Sequence, residues 1–125
     1  MTIEEIKTAI GGRLVGNELM KNSVAKTILQ LPEEIAWPIV DNCWFFSSDD
    51  DSFGYAFNGN DLKDKHLIFL SDVLFHESEN QIMYTILHEI GHIALNHKNS
   101  IHYKQTKEEI AKQESEADQF AKKYL

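Results

Sequence analysis

Two histidines four residues apart, with a glutamate directly after the first, form the segment of this chain best suited to chemistry. The segment is the HExxH pentad His88-Glu89-Ile90-Gly91-His92. On a helix, positions i and i+4 lie on one face, so both imidazoles can bind one metal ion, most commonly Zn²⁺. Glu89 lies at the edge of that face, where it can take a proton from a zinc-activated water. The pentad therefore indicates hydrolysis, with His88 and His92 as metal ligands and Glu89 as the general base.

The pentad alone does not establish this chemistry, because a buried or solvated helix can carry two histidines without any metal. Ser78 to Gln81 fits a capping box, and the predicted helix runs from there to about Asn96. Gly91 costs about 1 kcal/mol relative to Ala inside a helix, so we expect it to mark a close approach, such as that of the helix carrying a third ligand. Simple tolerance of the glycine is the alternative. The apolar positions expected to face the core follow at helical spacing: Ile82, Ile86, Ile90 and Ile93.

A second predicted helix, from about Thr106 to Tyr124, supplies a candidate third ligand. Glu114 falls in the middle of its apolar stripe, whereas Glu116 points to the opposite side. A carboxylate on a packing face needs a metal or another partner, so we choose Glu114 as the ligand. Asp118, one turn later, is predicted to accept a hydrogen bond from the free ring nitrogen of a metal-bound histidine. The alternative is the solvated face of a Lys/Glu-rich helix. The stripe consists of Ile110, Ala117, Ala121 and Leu125.

Peptide hydrolysis also needs a donor that stabilises the developing oxyanion. His102 and Tyr103, between the two predicted site helices, are candidates, as are His97 and Tyr84. Lone His and Tyr residues are more often surface or packing residues, and this alternative stays open for each of them. His66 and His76 are interpreted as structural or exposed.

Composition restricts the class of protein. The 125 residues are enough for one domain with a single core. A net charge of −8 argues against direct nucleic-acid binding, and no apolar run reaches membrane-spanning length. Cys43, the single cysteine, is interpreted as a buried thiol. It fits a reducing compartment, and the acidic start of the chain lacks a signal-peptide pattern, so we expect a cytoplasmic protein.

The pattern along the chain predicts an α+β fold in one domain over residues 1–125. Residues 1–40 are expected to be mainly helical, 41–72 to form a small sheet, and 78–125 to hold the two helices of the zinc site. Three strands are predicted at 42–47, 53–57 and 67–70, with 48–52 as a solvated hairpin turn. We therefore expect a small three-stranded antiparallel sheet packed on the HExxH helix. The third strand is the one expected to pair with an extended substrate.

The segments from Ile86 to His97 (ILHEIGHIALNH) and from Glu114 to Leu125 (ESEADQFAKKYL) resemble the ImmA/IrrE-type metallopeptidases. The HExxH…ExxxD layout is also similar, more loosely, to that of thermolysin-like zinc peptidases. The resemblance is tight over residues 66–125. It implies a zincin-like core with His88, His92 and Glu114 as zinc ligands, Glu89 as general base and Asp118 behind a histidine ligand. It further implies regulated cleavage of a transcriptional repressor, in a phage, mobile-element or stress switch.

The leading hypothesis is thus a zinc endopeptidase acting on a regulatory protein, such as a DNA-binding repressor. The alternative is a non-catalytic zincin-fold module that sequesters a partner, or a component of a toxin–antitoxin pair. Glu89 favours the enzyme, because a scaffold needs no general base.

Overall fold

The computed structural model describes residues 1–48, 54–57, 65–97 and 105–125, which form five α-helices and four β-strands. The helices are α1 (Ile3–Ile10), α2 (Glu18–Ile28), α3 (Glu33–Asn42), α4 (Glu79–Ala94) and α5 (Lys107–Tyr124). The strands are β1 (Leu14–Val15), β2 (Cys43–Ser48), β3 (Gly54–Phe57) and β4 (His66–Ser71). Two short 3₁₀ segments, Gly11–Arg13 and Asp72–His76, precede β1 and follow β4. The order of elements shows the predicted mixture of helices and a small sheet.

The sheet corrects the expected strand pairing. Its order is β1-β2-β4-β3, and β2 pairs in parallel with both β1 and β4. Only β3 is antiparallel, and it pairs with β4 and not with β2. The three-stranded antiparallel sheet was therefore the wrong prediction, because β4 lies between the two strands that were expected to form a hairpin. The polar segment 48–52 suggested that hairpin, whereas the continuous apolar runs of β2 and β4 are typical of buried parallel strands.

Helix α4 is the element around which the core is built. It packs against α2, α3, α5, β3 and β4. Ile86, Leu87 and Ile90 are completely buried, and each such side chain stabilises the fold by about 1.5–3 kcal/mol relative to an exposed one. The predicted core face of α4 is confirmed, since Ile82 and Ile93 are buried as well. The apolar contacts hold α4 in place on several sides and so fix the direction of its remaining, polar face.

Helix α5 docks on α4 at Gly91. A Cβ built at Gly91 would lie 3.1 Å from Cδ1 of Phe120, closer than side chains normally pack. The expectation that Gly91 marks a close approach of the second site helix is confirmed. The packing face of α5 consists of Ala117, Phe120 and Ala121.

The predicted apolar stripe of α5 was wrong at both ends. Ile110 and Leu125 are exposed by 46% and 47%, although both were placed on the packing face. Phe120, which that stripe omitted, is the large side chain in contact with α4. Only the middle of the stripe, at Ala117 and Ala121, meets the core. The buried residues of α5 all lie in its C-terminal half, and the helical period alone does not determine which turns of a helix are covered.

No helix in the described parts of the chain is long and apolar enough to span a membrane.

Candidate active site

The polar face of α4 presents the two histidines of the pentad side by side. Ser78 caps the helix by accepting a hydrogen bond from the backbone N–H of Gln81 at 3.2 Å. The Gln81 side chain donates to Thr85 and does not return to the cap, so half of the expected capping box is present. From this start the regular helix places the rings of His88 and His92 one turn apart, with centroids 4.9 Å apart and planes nearly perpendicular.

Glu114 joins the two histidines from α5. Its Oε2 lies 2.9 Å from Nε2 of His88, and its Oε1 lies 3.2 Å from Nε2 of His92. Helix α5 begins at Thr106 with a complete capping box closed by Glu109, which fixes the phase of the helix two turns before Glu114. The structure therefore brings together the three residues that the sequence predicted as ligands.

The spacing of these atoms fits a metal ion. Ligand atoms about 2.0–2.1 Å from one tetrahedral ion are separated from one another by about 3.3 Å. The Nε2 atoms of His88 and His92 lie at 2.9 and 3.2 Å from the Glu114 oxygens, close to that separation. His88, Glu89 and His92 also form a group whose potential ligand atoms all lie within 4.8 Å of one another. Two imidazoles and carboxylate oxygens could thus hold a metal ion here.

The surroundings of His92 favour the uncharged form of its ring. Burial lowers the pKa of His92 to about 4, and the nearby Glu114 carboxylate opposes this shift without cancelling it. At neutral pH the His92 ring is therefore uncharged, which is the form of imidazole that coordinates metals.

Glu89 is buried beside the two histidines. Only 6% of the residue is exposed. Burial raises the pKa of its carboxyl to about 8, and the negative charge of Glu114 contributes to the shift. A carboxyl group with a pKa close to neutrality can both accept and donate a proton, which is what a general acid–base group must do.

Asp118 and Tyr84 lie behind His88. The Oδ1 of Asp118 is 2.9 Å from Nδ1 of His88, within ion-pair distance but without the alignment of a hydrogen bond. The Tyr84 hydroxyl donates to the same oxygen at 2.6 Å. This hydrogen bond raises the pKa of Tyr84 to about 12 and lowers the pKa of Asp118. Asp118 is thus located where the sequence predicted it, and Tyr84, considered as an oxyanion donor, is engaged with Asp118.

His97, a candidate oxyanion donor in the sequence, instead lies behind His92. Its Nδ1 is 2.9 Å from Nδ1 of His92, and its Nε2 is 3.3 Å from Oε1 of Glu116. The signal that could have found it is Asn96, which ends α4 with a positive φ of 55°. Asparagine is a common residue in this left-handed position after a helix, where the chain folds back over its last turn.

Two of the remaining candidates, His102 and Tyr103, lie outside the described residues. His76 is exposed, as expected. Cys43 is completely buried, and burial raises the pKa of its thiol to about 12, which confirms the interpretation of an inert, buried thiol.

The comparison with protein families matches the part of the chain that contains this site. Residues 72–125 match the family model described as Peptidase U49. The match indicates a peptidase. It covers less than half of the chain, yet it includes α4 and α5 completely. No curated protein and no solved structure matches the chain.

Proposed function

We propose that this protein is a zinc-dependent endopeptidase whose active site is formed by α4 and α5. The observation that carries the proposal is the contact of one carboxylate, that of Glu114, with the Nε2 atoms of both pentad histidines. Buried Glu89 lies beside this group. The peptidase-family match over the same two helices supports hydrolysis of a peptide bond as the reaction.

Glu114, and not Glu89, is the carboxylate that we assign as ligand. Each Glu114 oxygen faces a different histidine nitrogen, so the three side chains surround one point. Glu89 is almost completely buried, and we assign it the transfer of protons. Two imidazoles and one carboxylate are a ligand set found in zinc peptidases, whereas Ca²⁺ and Mg²⁺ prefer sites made of oxygen alone.

The residues then have separate roles in the reaction. A bound zinc ion supplies Lewis acidity, which polarises the substrate carbonyl and lowers the pKa of water. Glu89 accepts a proton from the attacking water and delivers it to the amine that leaves. Asp118 holds the His88 ring from behind, and the Tyr84 hydroxyl holds Asp118.

The strand expected to align the substrate changes with the sheet order. The third predicted strand corresponds to β4, which is paired on one side with β2 and on the other with β3. An extended peptide has no access to it. We assign the alignment of substrate to β3, which lies at the edge of the sheet and packs against α4, the helix of the pentad.

The substrate class follows from the resemblance to ImmA/IrrE-type metallopeptidases, which implies a regulatory protein such as a DNA-binding repressor. The overall charge of −8 fits a role in cleaving such a protein better than in binding DNA. The second candidate is a zincin-fold module that binds a partner without cleaving it. Burial of an ionisable group such as Glu89 costs stability, and a binder would gain nothing from it.

A cleavage assay with a matched variant tests the proposal. The zinc-loaded protein is incubated with unfolded casein and with a candidate repressor, with and without a chelator, beside Glu89→Gln and the exposed control Glu108→Gln. We expect the chelator and Glu89→Gln to stop cleavage, Glu108→Gln to leave it unchanged, and zinc content to stay equal in all three proteins. Continued cleavage by Glu89→Gln would remove Glu89 from the mechanism. Zinc binding with no cleavage of either protein would favour the binding module.

A further inference from the structure

A buried histidine outside the pentad lies directly behind one of the proposed ligands. His97 is 6% exposed, and its Nδ1 lies 2.9 Å from Nδ1 of His92. On its other side, Nε2 lies 3.3 Å from Oε1 of Glu116, which projects from α5. The three side chains form a continuous row from the His92 ring to a half-exposed carboxylate.

The end of α4 builds this row. The N–H of His97 donates to the carbonyl of His92 at 2.9 Å, and the N–H of Asn96 donates to the carbonyl of Ile93 at 3.0 Å. With Asn96 at a φ of 55°, these bonds form a Schellman motif. In this motif the residue after the left-handed position usually makes an apolar contact with the last turn. Here the imidazole rings of His92 and His97 make that contact.

The hydrogens along the row can be arranged in one way if His92 uses Nε2 as its ligand atom. Its Nδ1 then carries the hydrogen and donates it to Nδ1 of His97, which must be without one. The hydrogen of neutral His97 is consequently on Nε2, which lies 3.3 Å from Oε1 of Glu116, within ion-pair distance but without the alignment of a hydrogen bond. With a metal on Nε2 of His92, the row is therefore consistent only with a neutral His97 ring that accepts at Nδ1 and carries its hydrogen on Nε2.

We propose that His97 and Glu116 are positioning residues that orient the His92 ring and increase its basicity toward a metal ion. This inference rests on the proposed zinc site. The two proposed histidine ligands then have different outer partners. His88 faces the carboxylate of Asp118 directly, whereas His97 lies between His92 and the carboxylate of Glu116. Outer partners of this kind fix both the tautomer and the orientation of a metal-binding histidine.

Two other roles of His97 fit the structure less well. A packing residue would present apolar atoms to the buried Nδ1 of His92, which would then lack a partner. A further metal ligand would have to face the Nε2 side of His92, where Glu114 lies. The Nδ1 of His97 instead faces the opposite nitrogen of the His92 ring.

Three substitutions of His97 separate these roles. Asparagine keeps an acceptor near the position of Nδ1, glutamine keeps a donor near the position of Nε2, and leucine keeps only bulk. Zinc affinity is measured by competition with a chromophoric chelator, and thermal unfolding of each metal-free protein is measured beside it. We expect His97→Leu to weaken zinc binding by roughly 10–100-fold. His97→Asn should recover most of that loss, and His97→Gln should recover less.

The same experiment includes a second variant and a direct observation of the ring. Glu116→Gln should weaken zinc binding by less than His97→Leu, because the amide keeps a polar oxygen near Nε2 of His97 and removes only the charge. In ¹⁵N spectra of the zinc-loaded protein, where the metal would occupy Nε2 of His92, His97 should show a hydrogen on Nε2 and none on Nδ1. Wild-type zinc affinity in His97→Leu, or a better recovery with glutamine than with asparagine, would overturn the inference. So would a hydrogen on Nδ1 of His97.

These readouts are independent of cleavage. If the wild-type protein binds zinc and His97→Leu weakens binding, but no protein is cut, the peptidase proposal fails and the positioning role stands. If the wild-type protein cuts substrate and His97→Leu binds zinc and cuts as well as the wild type, the positioning role fails and the peptidase stands.

Discussion

Replacing Glu89 by glutamine should stabilise the metal-free protein above neutral pH. In the fold, burial raises the pKa of this carboxyl from 4.5 to about 8, so the folded state binds the proton more tightly than the unfolded chain does. The stability contributed by the protonated group is fully present below about pH 4.5 and is lost as the pH rises through about 8. Glutamine has nearly the same shape and cannot ionise, so it avoids this loss.

The size of the gain follows from the shift. At about 1.4 kcal/mol per pH unit, the whole shift corresponds to an upper limit of roughly 5 kcal/mol at pH 8 and above. Water entry and rearrangement around the charge reduce such penalties in real proteins, so we expect a gain of about 2 kcal/mol at pH 8. The difference should fall below about 1 kcal/mol at pH 5, where the wild-type carboxyl remains protonated in the folded state.

Urea unfolding of metal-free wild-type and Glu89→Gln proteins, at half-unit steps from pH 5 to 8.5, measures this difference. Glu108→Gln, an exposed substitution on α5, controls for the loss of one negative charge from an acidic protein. Saturating zinc should reduce the advantage of Glu89→Gln, because a nearby cation favours the carboxylate form of Glu89. A constant free-energy difference across the pH range, or a wild-type protein that is more stable than the variant at pH 8, would refute the reasoning.

Three further predictions concern the surroundings of the site. Gly91→Ala should destabilise the protein by about 1–3 kcal/mol in urea unfolding, because the added methyl meets Phe120 at 3.1 Å. The double substitution Gly91→Ala with Phe120→Ala, which removes the ring, should cost less than the sum of the two single substitutions. Tyr84→Phe should weaken zinc binding by up to about tenfold in a chelator competition, since Asp118 loses its hydroxyl donor; unchanged affinity would show that Asp118 needs no support. Thr106→Ala should cost about 1 kcal/mol of stability, whereas Thr106→Ser should cost much less.

The sequence predicted the two site helices well because their signals are local. Caps at Ser78 and Thr106 correspond to the observed starts of α4 and α5, and the apolar period located the core face of α4. Helical phase also selected Glu114, and the structure places it against both pentad histidines. The same phase was wrong for Glu116, which was expected on the opposite side of α5 and lies 3.3 Å from Nε2 of His97.

The features that the sequence did not predict depend on long-range strand pairing or on the exact end of a helix. Alternation of apolar and polar residues and turn residues locate strands. They do not show whether two consecutive strands pair with each other or are separated by a third, as β2 and β3 are separated by β4. Strand β1 has two residues, too few for a pattern. The place of His97 behind His92 was not predicted, because it depends on one left-handed residue, Asn96. The exposure of Ile110 depends on how far α5 covers its neighbour.

The placement of the proposed ligands on two helices also bears on the order of folding. His88 and Glu114 are 26 residues apart in the chain, and the parallel strands pair Cys43 with His66 over a similar distance, 66 − 43 = 23 residues. Loop closure alone therefore favours neither the helix pair nor the sheet as the first to form. A metal ion held by His88 and Glu114 would join α4 to α5, so zinc present from the start of refolding distinguishes the two orders. A higher folding rate would show that the helices are already paired in the transition state, whereas slower unfolding alone would show that they pair later.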